Sequence, residues 1–155
     1  MTIDPHIYVD ADACPVKAEV ARVAERHGLA VTYVANAWMP PPRGPRFRMQ
    51  VVTGAFDAAD DWIAEQVVPA DVVITADIPL ASRCLKKGAR VLGPSGKPFT
   101  DDNIGNALAT RELMADLRAY GVGGGPPPFG PRDRSRFLEA LELAVREAKR
   151  QRAGG

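Results

Sequence analysis

Ile7-Tyr8-Val9-Asp10-Ala11-Asp12-Ala13-Cys14-Pro15 decides how this chain is read. A short run of strand formers ends in two carboxylates, and a proline follows at the expected start of a helix. Val16, Val20, Val23 and Ala24 then recur at helical spacing, and Gly28 marks the stop. A strand that passes through acids into a helix is the opening of an α/β unit. Val72-Val73-Ile74-Thr75-Ala76-Asp77 repeats the theme: a continuous apolar run suited to a buried parallel strand, closed by an acid.

The rest of the chain fills in around these two units. Strands are expected at Val31–Val34, Phe47–Val52 and Arg90–Leu92. Helices are expected at Phe56–Val67, with Asp57 as cap, and at Ile78–Lys87, with Pro79 near its start and Gly88 after its end. A long amphipathic helix is expected at Ile104–Tyr120 and a final helix at Arg134–Arg150. Ala37-Trp38-Met39 leads into Pro40-Pro41-Pro42-Arg43-Gly44-Pro45, a loop stiffened by proline. The alternation predicts a three-layer α/β fold with a mainly parallel central sheet flanked by helices, plus a C-terminal helical arm. The domain expectation is an α/β domain over 1–122. A Gly/Pro-rich connector and C-terminal helix over 123–155 would pack on it, broken at Gly123-Gly124-Gly125-Pro126-Pro127-Pro128.

Composition narrows the function classes. The 155 residues are 46% hydrophobic and 25% charged, an ordinary globular balance. Twenty Lys plus Arg against 19 Asp plus Glu leave a net charge of +1, which excludes binding nucleic acid by bulk charge alone. No apolar run approaches the roughly 18–20 residues of a membrane span. The N-terminus lacks the layout of a signal peptide. A cytoplasmic protein with no membrane association is expected. Cys14 and Cys84 make neither a disulfide framework nor a four-thiolate zinc site.

Four groups of acids stand out. Asp10 and Asp12 follow the first strand, and Asp77 follows the strand at Val72. In open parallel sheets the carboxyl ends of strands form the ligand edge, so both sets fall where chemistry normally sits. Asp57, Asp60 and Asp61 share one face at the start of a helix by their spacing. Asp101 and Asp102 lie in a later loop, where one of them is expected to cap the helix at Ile104. Gathered carboxylates repel and raise one another's pKa, and a hard divalent cation is the simplest remedy. Mg²⁺ and Mn²⁺ take oxygen ligands and can promote phosphodiester hydrolysis. His6 and His27 suggest no shared site, which argues against a zinc hydrolase.

Arginines concentrate at Arg43, Arg46 and Arg48 and again at Arg132, Arg134 and Arg136; they suit phosphate contacts. Trp38 and Phe47 flank the first group and can stack on unpaired bases. Arg83, Lys86 and Lys87 read as a solvated helix face. Thr75, Ser82 and Asn103 are candidates to hydrogen-bond around a bound cation, with Asn103 also a candidate ligand or cap. Cys14 is expected to be a spectator, or a thiol that senses occupancy, because nearby acids oppose the helix-terminus effect on its pKa.

Asp10-Ala11-Asp12-Ala13-Cys14-Pro15 also resembles the YaiI/YqxD family of uncharacterised bacterial proteins. Four more segments carry the likeness: Phe56-Asp57-Ala58-Ala59-Asp60-Asp61-Trp62, Ile74-Thr75-Ala76-Asp77-Ile78-Pro79-Leu80, Phe99-Thr100-Asp101-Asp102-Asn103-Ile104, and Gly125-Pro126-Pro127-Pro128-Phe129 followed by Asp133-Arg134-Ser135-Arg136-Phe137. That family is grouped with PIN-like domains, many of them metal-dependent ribonucleases. The resemblance implies a PIN-like fold in which Asp10, Asp77 and one of Asp60 or Asp61 hold the metal. Asp101 or Asp102 would complete or flank the site. The leading expectation is thus a Mg²⁺- or Mn²⁺-dependent nuclease acting on RNA, with Asp10 and Asp77 central to catalysis and a homo-oligomer as one possible assembly.

Two alternatives stand beside it. An apolar strand followed by Asp-x-Asp also resembles the haloacid dehalogenase phosphatases. That likeness implies Asp10 as nucleophile, Asp12 as general acid, and Thr75 with Lys86 or Lys87 in the remaining roles. A non-catalytic RNA- or protein-binding module is the third reading.

Overall fold

A computed structural model describes residues 4–12, 14–54, 57–119, 121 and 129–154. Ala13, Phe56 and the Gly123–Pro128 break therefore lie outside the described residues. The elements are β1 (Ile7–Asp10), α1 (Lys17–His27), β2 (Val31–Ala35), β3 (Phe47–Val51), α2 (Ala58–Gln66), β4 (Val72–Ile74), α3 (Ile78–Lys86), β5 (Arg90–Leu92), β6 (Pro98–Phe99), α4 (Ile104–Ala119) and α5 (Pro131–Gly154).

The six strands form one sheet in the order β3-β2-β1-β4-β5-β6. Every pairing is parallel except that of β5 with β6. Strand order reverses between β1 and β4. Chain connections leave in opposite directions there, and a crevice opens beyond the strand ends.

Alternation along the strands sorts side chains into two cores. Ile7 and Val9 of β1, Val31 and Tyr33 of β2, and Val72 and Ile74 of β4 face α1 and α5. Val34, Val73 and Val91 face α2 and α3 with Ile63, Leu80 and Cys84. The result is helices, sheet, helices, the three layers expected from the sequence. By the same alternation Asp10 shares the α2 face with Tyr8.

Helix boundaries differ from the sequence expectations in instructive ways. α1 starts at Lys17 after the N-cap Val16, so Pro15 lies in the preceding turn and not at the first helical position. Gly28 does end it, in the left-handed conformation at φ 70°. Asp57 occupies the N-cap position of α2, but its side chain makes no capping hydrogen bond. The turn before α4 is held by Thr100 and Asn103, not by an aspartate. Thr100 N–H donates to Asn103 Oδ1 (2.9 Å), and Asn103 N–H donates to Thr100 Oγ1 (3.2 Å). α4 leaves Leu113 and Met114 exposed, so it does not bury a continuous apolar stripe.

β2 and β3 are parallel neighbours joined without a helix. The proline-stiffened segment must therefore run back across the sheet before β3 begins, and Met39 packs on the α1-side core as it does so. α5 covers that same core with Phe137, Leu141, Val145 and Ala148, all fully buried. Near its start it passes so close to Gly96 (φ +90°) that a Cβ there would lie 2.8 Å from the Arg136 backbone. Near its end Arg152 reaches Asp71, which is buried just before β4 (2.6 Å).

Candidate functional site

The crevice between β1 and β4 holds the acids. Asp10 ends β1, and Asp77 follows β4 as the N-cap of α3. Its Oδ1 accepts the Leu80 N–H at 2.8 Å, which fixes the side chain at the helix start. Thr75 stands between the two acids and is buried. Its hydroxyl donates to Asp10 Oδ2 (2.8 Å) and accepts from the Asp77 backbone N–H (3.0 Å). One hydroxyl thus sets both the rotamer of Asp10 and the turn that aims Asp77.

Asp60 closes the group from the first turn of α2. Burial, followed by the charges of Asp77 and Asp10, pushes its carboxyl up to about 7, with Asp57 adding to the effect. Burial also raises Asp10; the Thr75 hydrogen bond opposes this, while Asp77 and Asp12 add to it. Three carboxylates from three elements therefore sense one another in a half-buried crevice. Among the described residues no three His, Cys, Asp or Glu side chains stand ready-made as a metal cage. The donor set still fits a hard cation. Mg²⁺ keeps several waters and takes one or two carboxylates directly, so Asp10 and Asp77 would be enough to hold it, with Asp60 beside them.

The other predicted residues are placed as follows. Asp61 turns away from the crevice and pairs with Arg83 (2.7 Å). Asp12 is exposed, and its Oδ2 accepts the Asn36 N–H at 3.1 Å. Asp101 and Asp102 are exposed in the turn before α4. Asp101 lines a largely apolar cavity of about 570 Å³ between β5 and α5, away from the three clustered acids. Asn103 is used up locally, its amide also donating to Pro98 O (3.0 Å). Ser82 is half-buried on α3.

The arginine groups are split by the topology. Arg46 lies at the opposite sheet edge, where its carbonyl accepts the Val31 N–H at the start of β2 (2.9 Å), and Arg43 is exposed in the same returning loop. Arg48 lies on the α2 face of β3, next to Thr32 in register. Arg134 is held by Pro15 O (2.7 Å) and Glu19 and stacks over Phe129, while Arg132 and Arg136 are exposed at the start of α5. Trp38 is 67% exposed, just beyond the end of β2.

His6 and His27 share no site, as the sequence suggested. His6 hydrogen-bonds Thr32 Oγ1 (2.7 Å), and His27 pairs with Glu142 (2.7 Å). Both cysteines are buried, and burial raises their pKa values, that of Cys84 to about 11. What the sequence did not signal is a cavity of about 440 Å³ beside α2, with Tyr8 and Trp62 in its wall. Tyr8 stands two residues from Asp10, so strand alternation was the available clue.

No helix among the described residues is long and apolar enough to cross a membrane. No solved structure matches the chain. Its similarity to curated proteins is extensive. It is 58% identical over 148 residues to a UPF0178 protein of Rhodopseudomonas palustris (strain TIE-1), covering 95% of this chain and 94% of the relative. It is 60% identical over 145 residues to a UPF0178 protein of Paramagnetospirillum magneticum, covering 93% and 96%. A Rhodospirillum rubrum UPF0178 protein is 57% identical over 148 residues, covering 94% and 99%. The family model described as "Uncharacterized BCR, YaiI/YqxD family" matches residues 8–147. The chain belongs to the YaiI/YqxD family of uncharacterised bacterial proteins.

Proposed function

We propose that this protein is a Mg²⁺- or Mn²⁺-dependent nuclease that hydrolyses RNA phosphodiesters. The observation that carries the reading is the meeting of Asp10, Asp60 and Asp77 at the sheet's reversal point, where burial, reinforced by the charges of Asp77 and Asp10, raises the Asp60 carboxyl to about 7 and leaves it only partly ionised at neutral pH. A cluster that cannot ionise fully on its own is one that a divalent cation would complete. RNA as substrate class follows from the resemblance to PIN-like domains.

Asp10 and Asp77 would hold the cation, with Asp60 ionising as it binds. A divalent cation held by these carboxylates would supply charge stabilisation for the phosphodiester and a more acidic water. Thr75 keeps the Asp10 carboxylate oriented, and the Leu80 N–H does the same for Asp77. No separate general base stands out among the described residues.

The phosphatase alternative needs a lysine beside Asp10. Lys87 instead donates to the carbonyls of Ala64 (2.7 Å) and Glu65 (3.1 Å) at the far end of α3. Lys86 closes that helix, whose nine residues put it roughly 12–14 Å beyond Asp77.

The test is cleavage of single- and double-stranded RNA and DNA with Mn²⁺ or Mg²⁺, run beside Asp10→Asn protein purified in parallel. Wild type should cleave RNA, and Asp10→Asn should lose cleavage and bind Mn²⁺ more weakly. Equal cleavage by both proteins refutes the scheme.

A further inference from the structure

The α2 face of the sheet carries a row of side chains that the carboxylate site does not use. Tyr8 of β1 pairs in register with Thr32 of β2, which pairs with Arg48 of β3. The next row toward the carboxyl edge is Asp10, Val34 and Gln50. All of these except Val34 face a cavity or the crevice. Val34 is in the core under α2. α2 runs along β1, so Asp60 stands by Asp10 and Trp62 by Tyr8, and Gln66 and His6 line the same cavity. Among the described residues α2 packs chiefly on β1 and β2 rather than on β3, and a cavity of about 440 Å³ opens beside Arg48 and Gln50.

Its wall is aromatic. The Tyr8 and His6 rings lie 4.4 Å apart, and the Tyr8 and Trp62 rings meet edge to face at 6.1 Å. Burial lowers the His6 pKa, which favours the uncharged ring, and the ring adds a flat surface to the wall. Gln50 and Gln66 bring amides that can both donate and accept, and exposed Arg48 brings a fork suited to phosphate. Flat rings, amides and one arginine together match a nucleobase and its phosphate better than they match an apolar ligand.

We infer that this cavity binds one unpaired base of a nucleic-acid strand, the base next to the phosphodiester that would lie at the carboxylate cluster. Consecutive same-face residues on a strand are about 6.6 Å apart, so the Tyr8 row lies one nucleotide's reach from the Asp10 carboxylate. Arg48 contacts the flanking phosphate. The cavity therefore sets the strand's register at the acids and selects single-stranded over paired substrate, because a paired base cannot enter it. The inference rests on the nuclease reading for its substrate, but base binding does not require turnover.

The test uses full-length Trp38→Phe, Asp10→Asn protein in EDTA, so that Trp62 is the only indole and cleavage cannot confound the signal. A tetranucleotide RNA, its abasic counterpart of equal charge, and a nucleoside monophosphate are titrated against Trp62 fluorescence. The tetranucleotide should quench saturably and bind at least roughly fivefold tighter than the abasic strand, the contribution of one stacked base. Arg48→Ala, at an exposed position, should weaken binding and flatten its salt dependence. Trp62→Leu should weaken tetranucleotide binding followed by anisotropy, and Trp62→Phe should restore most of it. Equal binding of the abasic strand, or no change in Trp62 emission, overturns the inference. A monophosphate that binds as tightly as the tetranucleotide also overturns it, in favour of a free-nucleotide site. Base binding by the Asp10→Asn protein, with no cleavage in any metal by the Trp38→Phe protein that retains Asp10, would sink the nuclease reading and leave the cavity standing. Cleavage without Trp62 quenching would do the reverse.

Discussion

Replacing Asp60 by Asn should stabilise the metal-free protein at alkaline pH, and the gain should fade on acidification. In the native state the Asp60 carboxyl is raised from 3.8 to about 7 by burial and by Asp77 and Asp10. The native protein therefore binds this proton more tightly than the unfolded chain does. As pH rises from about 3.8 to about 7, the unfolded chain releases the proton while the native state still holds it, so stability falls across that window. Above about 7 the native group ionises too, and the loss stays constant. The difference between 3.8 and about 7 corresponds to roughly 4 kcal/mol at full strength. Asp60 is partly open to solvent, and screening reduces this to about 1–2 kcal/mol. Asn keeps the shape and cannot ionise, so Asp60→Asn recovers that amount at pH 8. For a chain of this size the gain is roughly 2–8 °C in Tm. Thermal unfolding followed by circular dichroism in EDTA at pH 8 and pH 5 measures it. The gain at pH 5 should be less than half that at pH 8. A lower Tm for the variant at pH 8, or an equal gain at both pH values, would refute the carboxylate cluster as drawn.

Thr75→Val removes the hydroxyl that orients Asp10 and accepts from Asp77, and should weaken Mn²⁺ binding by roughly 10–100-fold, whereas Thr75→Ser should retain it. Isothermal titration decides between them, and equal affinities would remove Thr75 from the site. Asp71 accepts from the N–H groups of His6 and Val68 (3.0 Å each) and from Arg152 (2.6 Å). Asp71→Ala leaves Arg152 without its partner and should lower stability by about 3–5 kcal/mol, read from the urea midpoint. Cys14 and Cys84 are buried with raised pKa values, so thiol reagents should modify them only as fast as the chain opens. Stoichiometric labelling of native protein within seconds would contradict that placement.

The parts of the fold visible in the sequence are those set by local chemistry. Val72–Ile74 had to be a buried strand because every side chain in it is apolar, and the acids after it and after Val9 had to fall at the ligand edge. What was hidden depends on register and direction. Arg43 and Arg46 sit near Arg48 in sequence, yet a helix-free crossover sends the first two to the opposite edge. The choice between Asp60 and Asp61 depends on where α2 docks, since Arg83 of α3 takes the latter. Tyr8 and Trp62 meet only because β1 lies under α2, which neither segment states alone. β6 is two residues long and includes a proline, too short for a periodic signal. Pro15 missed the helix start by two positions, within the uncertainty of any boundary read from residue type.

The burial of α5 bears on how the protein comes into being during translation. Every strand and every carboxylate of the crevice is synthesised before Phe137, Leu141, Val145 and Ala148. Until those residues emerge from the ribosome, the face of the nascent sheet that carries Ile7 and Val9 has α1 as its only helical cover among the described residues. The growing chain thus exposes apolar surface on the side away from Asp10, and fast completion shortens the time that surface is open to aggregation.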